Sequence, residues 1–138
     1  MSKITNKAII YIALIQALVA TFGSLYLSVI LKWQPCLLCW YQRIFMYPLV
    51  VIIGVGMILK TKGLKYFVLP LTFIGLLISI YHNLLQYGVI AEKNAVCSIV
   101  NPCVTNYHVL STFITVPLLS MVAFIIISVC LLLYRDEQ

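Results

Sequence analysis

Four long apolar stretches are the feature of this 138-residue sequence that most limits its fold. They lie at about 8–31, 40–59, 66–87 and 113–134, and each is close to the roughly 20 residues that cross a bilayer as a helix. Hydrophobic residues make up 64% of the chain and charged residues 9%, whereas soluble domains have about 45 to 50% and 25%. We therefore predict an all-α membrane protein, in which residues 1–138 form a single four-transmembrane-helix bundle with two short outer cysteine-bearing segments.

The first apolar stretch follows Lys3 and Lys7, as the core of a secretory signal peptide would. However, its about 24 apolar residues exceed the 7 to 15 of a signal peptide, so we expect it to be retained. With four spans, about 50 residues remain for ends and loops, which is too few for an independent soluble domain.

The distribution of lysine and arginine predicts the orientation in the bilayer. Basic residues flank the first stretch, occupy the 60–65 link and follow the last stretch at Arg135, while the opposite face has only Lys32 and Lys93. Because positively charged short loops stay in the cytoplasm, we expect both termini inside and both cysteine-bearing segments outside. The net charge of +6 is thereby explained without a nucleic-acid partner, and anionic lipid headgroups add a minor contribution.

Cys36 and Cys39 lie in the segment PCLLCWYQR, where Pro35 suggests that a helix begins. In a regular helix their Cβ atoms would be about 5 to 6 Å apart, and a disulfide needs about 3.5 to 4.5 Å, so a distorted first turn is expected. A helix amino terminus favours the thiolate, the species that exchanges disulfides. The pattern therefore favours a redox-active pair over a static bridge.

A second pair, Cys97 and Cys103, lies in the outer loop at about 88–112. Asn101-Pro102 is a turn signal between the two cysteines, and the apolar residues of this loop suggest that it lies against the headgroups, near the first pair. Cys130, in the fourth stretch, is interpreted as an apolar packing residue.

Arg43 follows Cys39 by four residues and Cys36 by seven, so all three project from one stripe of the second helix. Arginine at such a depth costs about 2.5 kcal/mol or more at mid-membrane and ordinarily has a partner or a task. It either extends to the headgroups or donates hydrogen bonds to a bound electron acceptor such as a quinone. His82 in the third stretch has a similar depth and either lines the same pocket or is satisfied by a neighbouring helix.

Several other functions remain open at this point. The four outer cysteines could bind zinc or copper, although a C-x5-C spacing and the absence of histidines near Cys36 disfavour a metal. They could also be purely structural disulfides, or inert cysteines of a structural membrane subunit. A carrier of reducing equivalents from the cytoplasm would need inner thiols, and only Cys130 lies near that side.

The segment PCLLCWYQR, the four spans and the second cysteine pair between spans 3 and 4 resemble the DsbB family of disulfide bond formation proteins, and in particular its Bacillus-type BdbC-like members. The resemblance covers essentially the whole chain. It implies a quinone-dependent oxidoreductase of the bacterial cell membrane, using menaquinone or ubiquinone. This enzyme would reoxidise an extracytoplasmic thioredoxin-fold thiol oxidase of the DsbA or BdbD kind.

The resemblance also implies residue roles. The partner thiolate would attack Cys97, Cys103 would exchange with Cys36, and Cys39 would face the quinone. Arg43 matches the quinone-contacting arginine by its place in the motif, and His82 corresponds to a family histidine by rough alignment of span 3. Many family members separate the loop cysteines more widely than this chain does, which leaves the order of exchange open.

Overall fold

The computed structural model describes residues 3–91 and 114–135. Its four helices are α1 (Lys3–Val29), α2 (Leu37–Ile58), α3 (Leu64–Gln86) and α4 (Val116–Leu133). Each of the four is long and apolar enough to cross a membrane. The predicted all-α architecture with four candidate membrane spans is therefore confirmed.

The helices form a bundle in which each packs mainly against two others. α1 and α3 each contact both α2 and α4. The core between them is mostly apolar, and its largest fully buried side chain is Phe124, which is buried together with Leu49 and Ile53. Gly75 of α3 lies directly under the Phe124 ring, so the absence of a side chain at Gly75 lets α3 and α4 approach closely.

Large apolar side chains also cover the outside of the bundle. Phe22, Phe67 and Leu132 are each more than 60% exposed. In water such a surface would be unfavourable, whereas lipid acyl chains solvate it. The inside and the outside of the bundle are thus both apolar, as expected for a chain whose solvent is the bilayer.

The helix ends are set by local chemistry that the apolar stretches alone do not show. α2 begins at Leu37, earlier than the predicted 40, because Cys36 adopts an extended conformation (φ −70°, ψ 172°) and caps the helix. α3 begins after Gly63, whose φ of 77° is readily adopted by glycine. α4 begins at Val116, later than the predicted 113, with Pro117 in its first turn.

The two ends of the chain meet at one end of the bundle. The Asn6 side chain accepts a hydrogen bond from the Arg135 backbone N–H at 2.9 Å and donates another to the Arg135 carbonyl oxygen. The start of α2 and the end of α3 lie together at the opposite end, where Cys36 packs against Leu38 and Leu85. This second end contains the candidate site.

Candidate functional site

The cysteine pair is built around the amino terminus of α2. As the N-cap residue, Cys36 places its Sγ 3.4 Å from the backbone nitrogen of Cys39, which donates to it. The sulfur thus occupies the position that a serine or aspartate oxygen takes in an ordinary cap. The same turn brings the two Sγ atoms to 3.1 Å, so the pair is closer than in a regular helix and oxidation to a disulfide needs little movement.

Cys36 is surrounded by groups that favour its thiolate. Its Sγ accepts a hydrogen bond from the Cys39 backbone N–H, and it lies 3.1 Å from the Cys39 Sγ and 3.7 Å from Nε2 of His82. The Cys39 thiol, followed by the contact with His82, outweighs the effect of burial and lowers the pKa of Cys36 to about 4. Cys36 is therefore a strong leaving group in disulfide exchange.

Side chains of α2 and α4 hold His82 of α3 in place. It is 1% exposed, and its Nδ1 lies 3.2 Å from the side-chain nitrogen of Gln42. Gln42 in turn accepts a hydrogen bond from Ser120 Oγ at 3.0 Å. With the amide in this orientation, Gln42 donates to Nδ1, and the imidazole proton then lies on Nε2, facing the Cys36 sulfur.

Arg43 is anchored to α1. Its Nε donates to Ser24 Oγ at 2.8 Å, and one terminal nitrogen donates to the Ser24 carbonyl at 3.0 Å and to Ser28 Oγ. The guanidinium also lies 5.6 Å from the centre of the Trp40 ring. Because all three hydrogen bonds are made to α1, the guanidinium is fixed against that helix and does not extend freely toward the headgroups.

A cavity of about 660 Å³ connects these groups. Its wall includes both cysteines, Arg43, His82 and Gln42, and the remainder is largely apolar side chains of α1 and α4 such as Val19 and Leu119. The volume is within the roughly 300 to 1,000 Å³ of sites that hold small organic ligands. An apolar cleft with a few convergent polar groups and a thiol pair can place an organic ring against sulfur.

Four of the six site residues expected from the sequence thus come together: Cys36, Cys39, Arg43 and His82 line one cavity. The other two, Cys97 and Cys103, lie outside the described residues, as does most of their loop.

Gln42 and Ser120 were missed by the sequence analysis, although Gln42 is a polar residue inside an apolar stretch, next to Arg43. A polar side chain within an apolar helix is a signal that could have identified Gln42 as a site residue. Ser24 and Ser28 of α1 join the site through Arg43, whose guanidinium donates a hydrogen bond to each hydroxyl.

Comparisons with known proteins identify the family of the chain. Residues 6–134 match the family described as "Disulfide bond formation protein DsbB". The chain is 43% identical over 131 residues to "Disulfide bond formation protein C" of Bacillus subtilis (strain 168), with 94% of each chain covered. It is also 43% identical to "Probable disulfide formation protein" of Oceanobacillus iheyensis over 141 aligned positions, which cover 100% of this chain and 97% of that one.

A more distant organism has a similar protein. "Probable disulfide formation protein" of Deinococcus radiodurans is 42% identical over 127 residues, covering 86% of this chain and 82% of that one. No solved structure matches the chain significantly. The family match spans nearly all of the described helices, and this chain belongs to the DsbB family of disulfide bond formation proteins, among the relatives of the Bacillus disulfide formation protein C.

Proposed function

We propose that this membrane protein reoxidises an extracytoplasmic thioredoxin-fold thiol oxidase and passes the two electrons to a membrane quinone, so that exported proteins acquire disulfides. The single observation that carries this proposal is the shared cavity: the Cys36/Cys39 pair and the Arg43 guanidinium line one apolar cleft. A disulfide that only stabilised the fold would need neither a cavity nor a fixed cation.

The side chains present suit a quinone. A quinone has a planar apolar ring and two carbonyl oxygens; the cavity supplies apolar walls, and Arg43 supplies a permanent donor. A bound quinone would supply the two-electron oxidation of the dithiol. Arginine stays protonated throughout, so it stabilises negative charge near the thiols without giving up its proton.

The proposed exchange begins in the loop between α3 and α4. A thiolate of the reduced partner attacks the Cys97 sulfur of a Cys97–Cys103 disulfide, forming a mixed disulfide and releasing the Cys103 thiolate. The partner's second thiolate then displaces Cys97, so the partner leaves oxidised and the loop pair holds its two electrons. Each step forms one S–S bond and breaks one.

The electrons next reach the helical pair. The Cys103 thiolate attacks Cys36 of the Cys36–Cys39 disulfide and releases Cys39 as a thiolate; Cys97 then attacks Cys103 and releases Cys36. The groups around Cys36, which favour its thiolate, make this second release favourable. Both helical cysteines are then reduced, and their reoxidation sends two electrons to the acceptor in the cavity.

The two helical cysteines therefore have different roles in this proposal. Cys36 is the sulfur that exchanges with the loop pair, because His82 and the α2 amino terminus stabilise its thiolate. Cys39 lies one turn closer to Arg43 along α2 and faces the acceptor. His82 additionally places an N–H beside the reacting sulfurs, where a proton is needed when the acceptor is reduced.

Replacement of Cys39 tests the proposal. We expect Cys39→Ser to abolish quinone reduction by a reduced thioredoxin-fold partner, measured as the loss of quinone absorbance with purified protein in detergent. Cys130→Ser, which changes a thiol of α4 near the opposite end of the bundle, should retain the activity. Undiminished turnover of Cys39→Ser would contradict the proposal.

A further inference from the structure

The ligand atoms of Cys36, Cys39 and His82 form a compact triangle. The two Sγ atoms lie 3.1 Å apart, Cys36 Sγ is 3.7 Å from His82 Nε2, and all three atoms lie within 4.8 Å of one another. Tetrahedral zinc with bond lengths of about 2.3 Å to sulfur and about 2.0 to 2.1 Å to nitrogen requires about 3.8 Å between sulfurs and about 3.5 Å between sulfur and nitrogen. The sulfurs need to separate by only about 0.7 Å, a change that side-chain rotation provides.

The local charge also suits a divalent cation. Two thiolates in this apolar surrounding carry two negative charges, and the cost of burying unpaired charge is large. The sequence has three carboxylate residues, and none of them lies within residues 3–91 or 114–135. A Zn²⁺ ion on two thiolates and a neutral imidazole gives a neutral cluster, so the ion compensates the charge of both thiolates.

His82 has the support that a metal-binding histidine needs at its other ring nitrogen. When Nε2 binds a metal, Nδ1 carries a proton and requires an acceptor. Rotation of the Gln42 amide places its oxygen at the 3.2 Å contact with Nδ1. The amide nitrogen then donates to Ser120 Oγ, and Ser120 donates to the Pro117 carbonyl oxygen, 2.8 Å away. The His82 N–H, the Gln42 amide and the Ser120 hydroxyl each keep a partner in the rotated arrangement.

We propose that the reduced protein binds one Zn²⁺ ion through Cys36, Cys39 and His82. Binding holds Cys36 as the thiolate it already is, converts the Cys39 thiol into a zinc-bound thiolate and releases that proton to solvent; both sulfurs stay reduced and no electron moves. Because both cysteines and His82 line the cavity, the fourth ligand position of the zinc faces into it. A water molecule can occupy that position.

The site has a regulatory consequence, which rests on the proposed function. Thiolates held by zinc are not available for disulfide formation, and the ion lies in the cavity that we assign to the electron acceptor. Zinc should therefore trap the reduced form and stop turnover until the ion is removed. The oxidised form, with its sulfurs joined, offers only His82 and should not bind the ion.

Zinc titration of purified protein tests the site without partner or quinone, so the outcome does not depend on the proposed function. The titration uses a Cys97→Ser/Cys103→Ser chain, in which only the helical pair can contribute, and a competing chromophoric chelator reports free Zn²⁺. We expect one Zn²⁺ per reduced chain and none per oxidised chain. Absence of binding by the reduced chain, or equal binding by the oxidised chain, would overturn the proposal.

Variants identify the ligands and their support. Cys36→Ser and His82→Ala should each weaken zinc binding at least tenfold, while Cys130→Ser leaves it unchanged. Gln42→Leu removes the acceptor for Nδ1 and should weaken binding about 10- to 100-fold, whereas Gln42→Glu keeps an acceptor and should bind at least as tightly as the parent chain. If His82→Ala and Gln42→Leu both bound like the parent, the three-ligand site would be wrong. The oxidised form of the same chain is a further control for zinc binding, because it differs from the reduced form by no substitution.

The regulatory part has its own test. Stoichiometric Zn²⁺ added to the reduced full-length protein should suppress turnover with partner and quinone, and a chelator should restore it. Zinc binding with undiminished turnover would contradict the regulatory part and leave the binding site standing.

Discussion

At the scale of single residues, Cys36 is the position where the structure gives the most specific chemistry. Its pKa is lowered to about 4, mainly by the Cys39 thiol and next by His82. Because a lowered pKa keeps the thiolate present at lower pH, the reactivity of Cys36 should persist through the neutral range and be lost only as the pH falls through about 4. A cysteine without such partners loses its thiolate below about pH 8.5.

This pH dependence is measurable in the reduced protein. Iodoacetamide labelling over a range of pH, with Cys36 quantified by peptide mass spectrometry, should give a midpoint near 4. In His82→Leu the midpoint should rise by about one pH unit or more, since the contact between Nε2 and the Cys36 sulfur is lost. A midpoint that His82→Leu left in place would show that His82 does not act on Cys36.

Arg43 makes a second prediction at this scale. Its contacts with Ser24 and Ser28 fix the guanidinium beside the cavity, and a hydrogen bond to a charged group contributes about 1.5 to 3 kcal/mol. Arg43→Met should therefore raise the KM for quinone about 10- to 100-fold. The Cys36–Cys39 disulfide should still form, because Arg43 makes no contact that closes that pair.

The measurement is a quinone titration at saturating reduced partner, with a thiol count by gel shift on the same sample. Lys65→Met is a suitable control, since Lys65 is also a cation against an aromatic ring, 5.5 Å from the Tyr66 ring centre, but lies at the opposite end of the bundle. An unchanged KM in Arg43→Met would indicate that the arginine serves only to join α1 and α2.

At the scale of helices, sequence reasoning was strong within one element and weak between elements. The spacing of Cys36, Cys39 and Arg43 placed them on one stripe of α2 because helical geometry fixes neighbours three, four and seven residues apart. The contact of Gln42 with His82 joins residues 40 positions apart, and that with Ser120 joins residues 78 apart. Both depend on which faces of α2, α3 and α4 meet, and uniformly apolar helices give little indication of that.

The start of α2 shows the same limit at shorter range. Pro35 predicted where the helix begins, but the extended conformation of Cys36, which puts its sulfur on the Cys39 N–H, follows from packing against Leu38 and Leu85 as well as from the local sequence. The sequence therefore predicted that the cysteine pair is redox-active. The different surroundings of the Cys36 and Cys39 sulfurs became visible only in the structure.

The contact between α3 and α4 makes a prediction about stability. A Cβ atom on Gly75 would overlap the Phe124 ring, which is 0% exposed and cannot move aside freely. We expect Gly75→Ala to destabilise the bundle by about 1 to 3 kcal/mol, the usual cost of overpacking a core. The measurement is the midpoint of unfolding in a denaturing detergent titration.

Gly54→Ala is the matched control, because a Cβ there would meet only the Leu14 side chain at 4.0 Å, an ordinary contact. Alanine also favours helix more than glycine does, so this variant should be neutral or slightly more stable. Equal behaviour of the two variants would mean that α3 and α4 are not as closely packed as the structure shows.

At the scale of the whole molecule, the two ends of the bundle have different contents, and this limits where the thiol chemistry can take place. Asn6 and Arg135 tie both chain ends together, and the thiol pair lies at the opposite end of the bundle, with Cys36 against Leu85 near the end of α3. Under the proposed function, the partner would dock on the face at this end, beside the thiol pair. If that face were cytoplasmic, the pair would work in a reducing compartment, where disulfides do not persist.

The predicted orientation places this face outside, and cysteine labelling of two exposed lysine positions tests it. Lys32 follows α1 at the end that contains the thiol pair, and Lys62 lies in the α2–α3 link at the other end; both are exposed. In a background whose five native cysteines are replaced, Lys32→Cys should react with a membrane-impermeant maleimide on intact cells. Lys62→Cys should react only after permeabilisation, because positively charged short links remain inside. The reverse pattern would invert the orientation, and labelling of both positions from outside would contradict a bundle of four antiparallel spans.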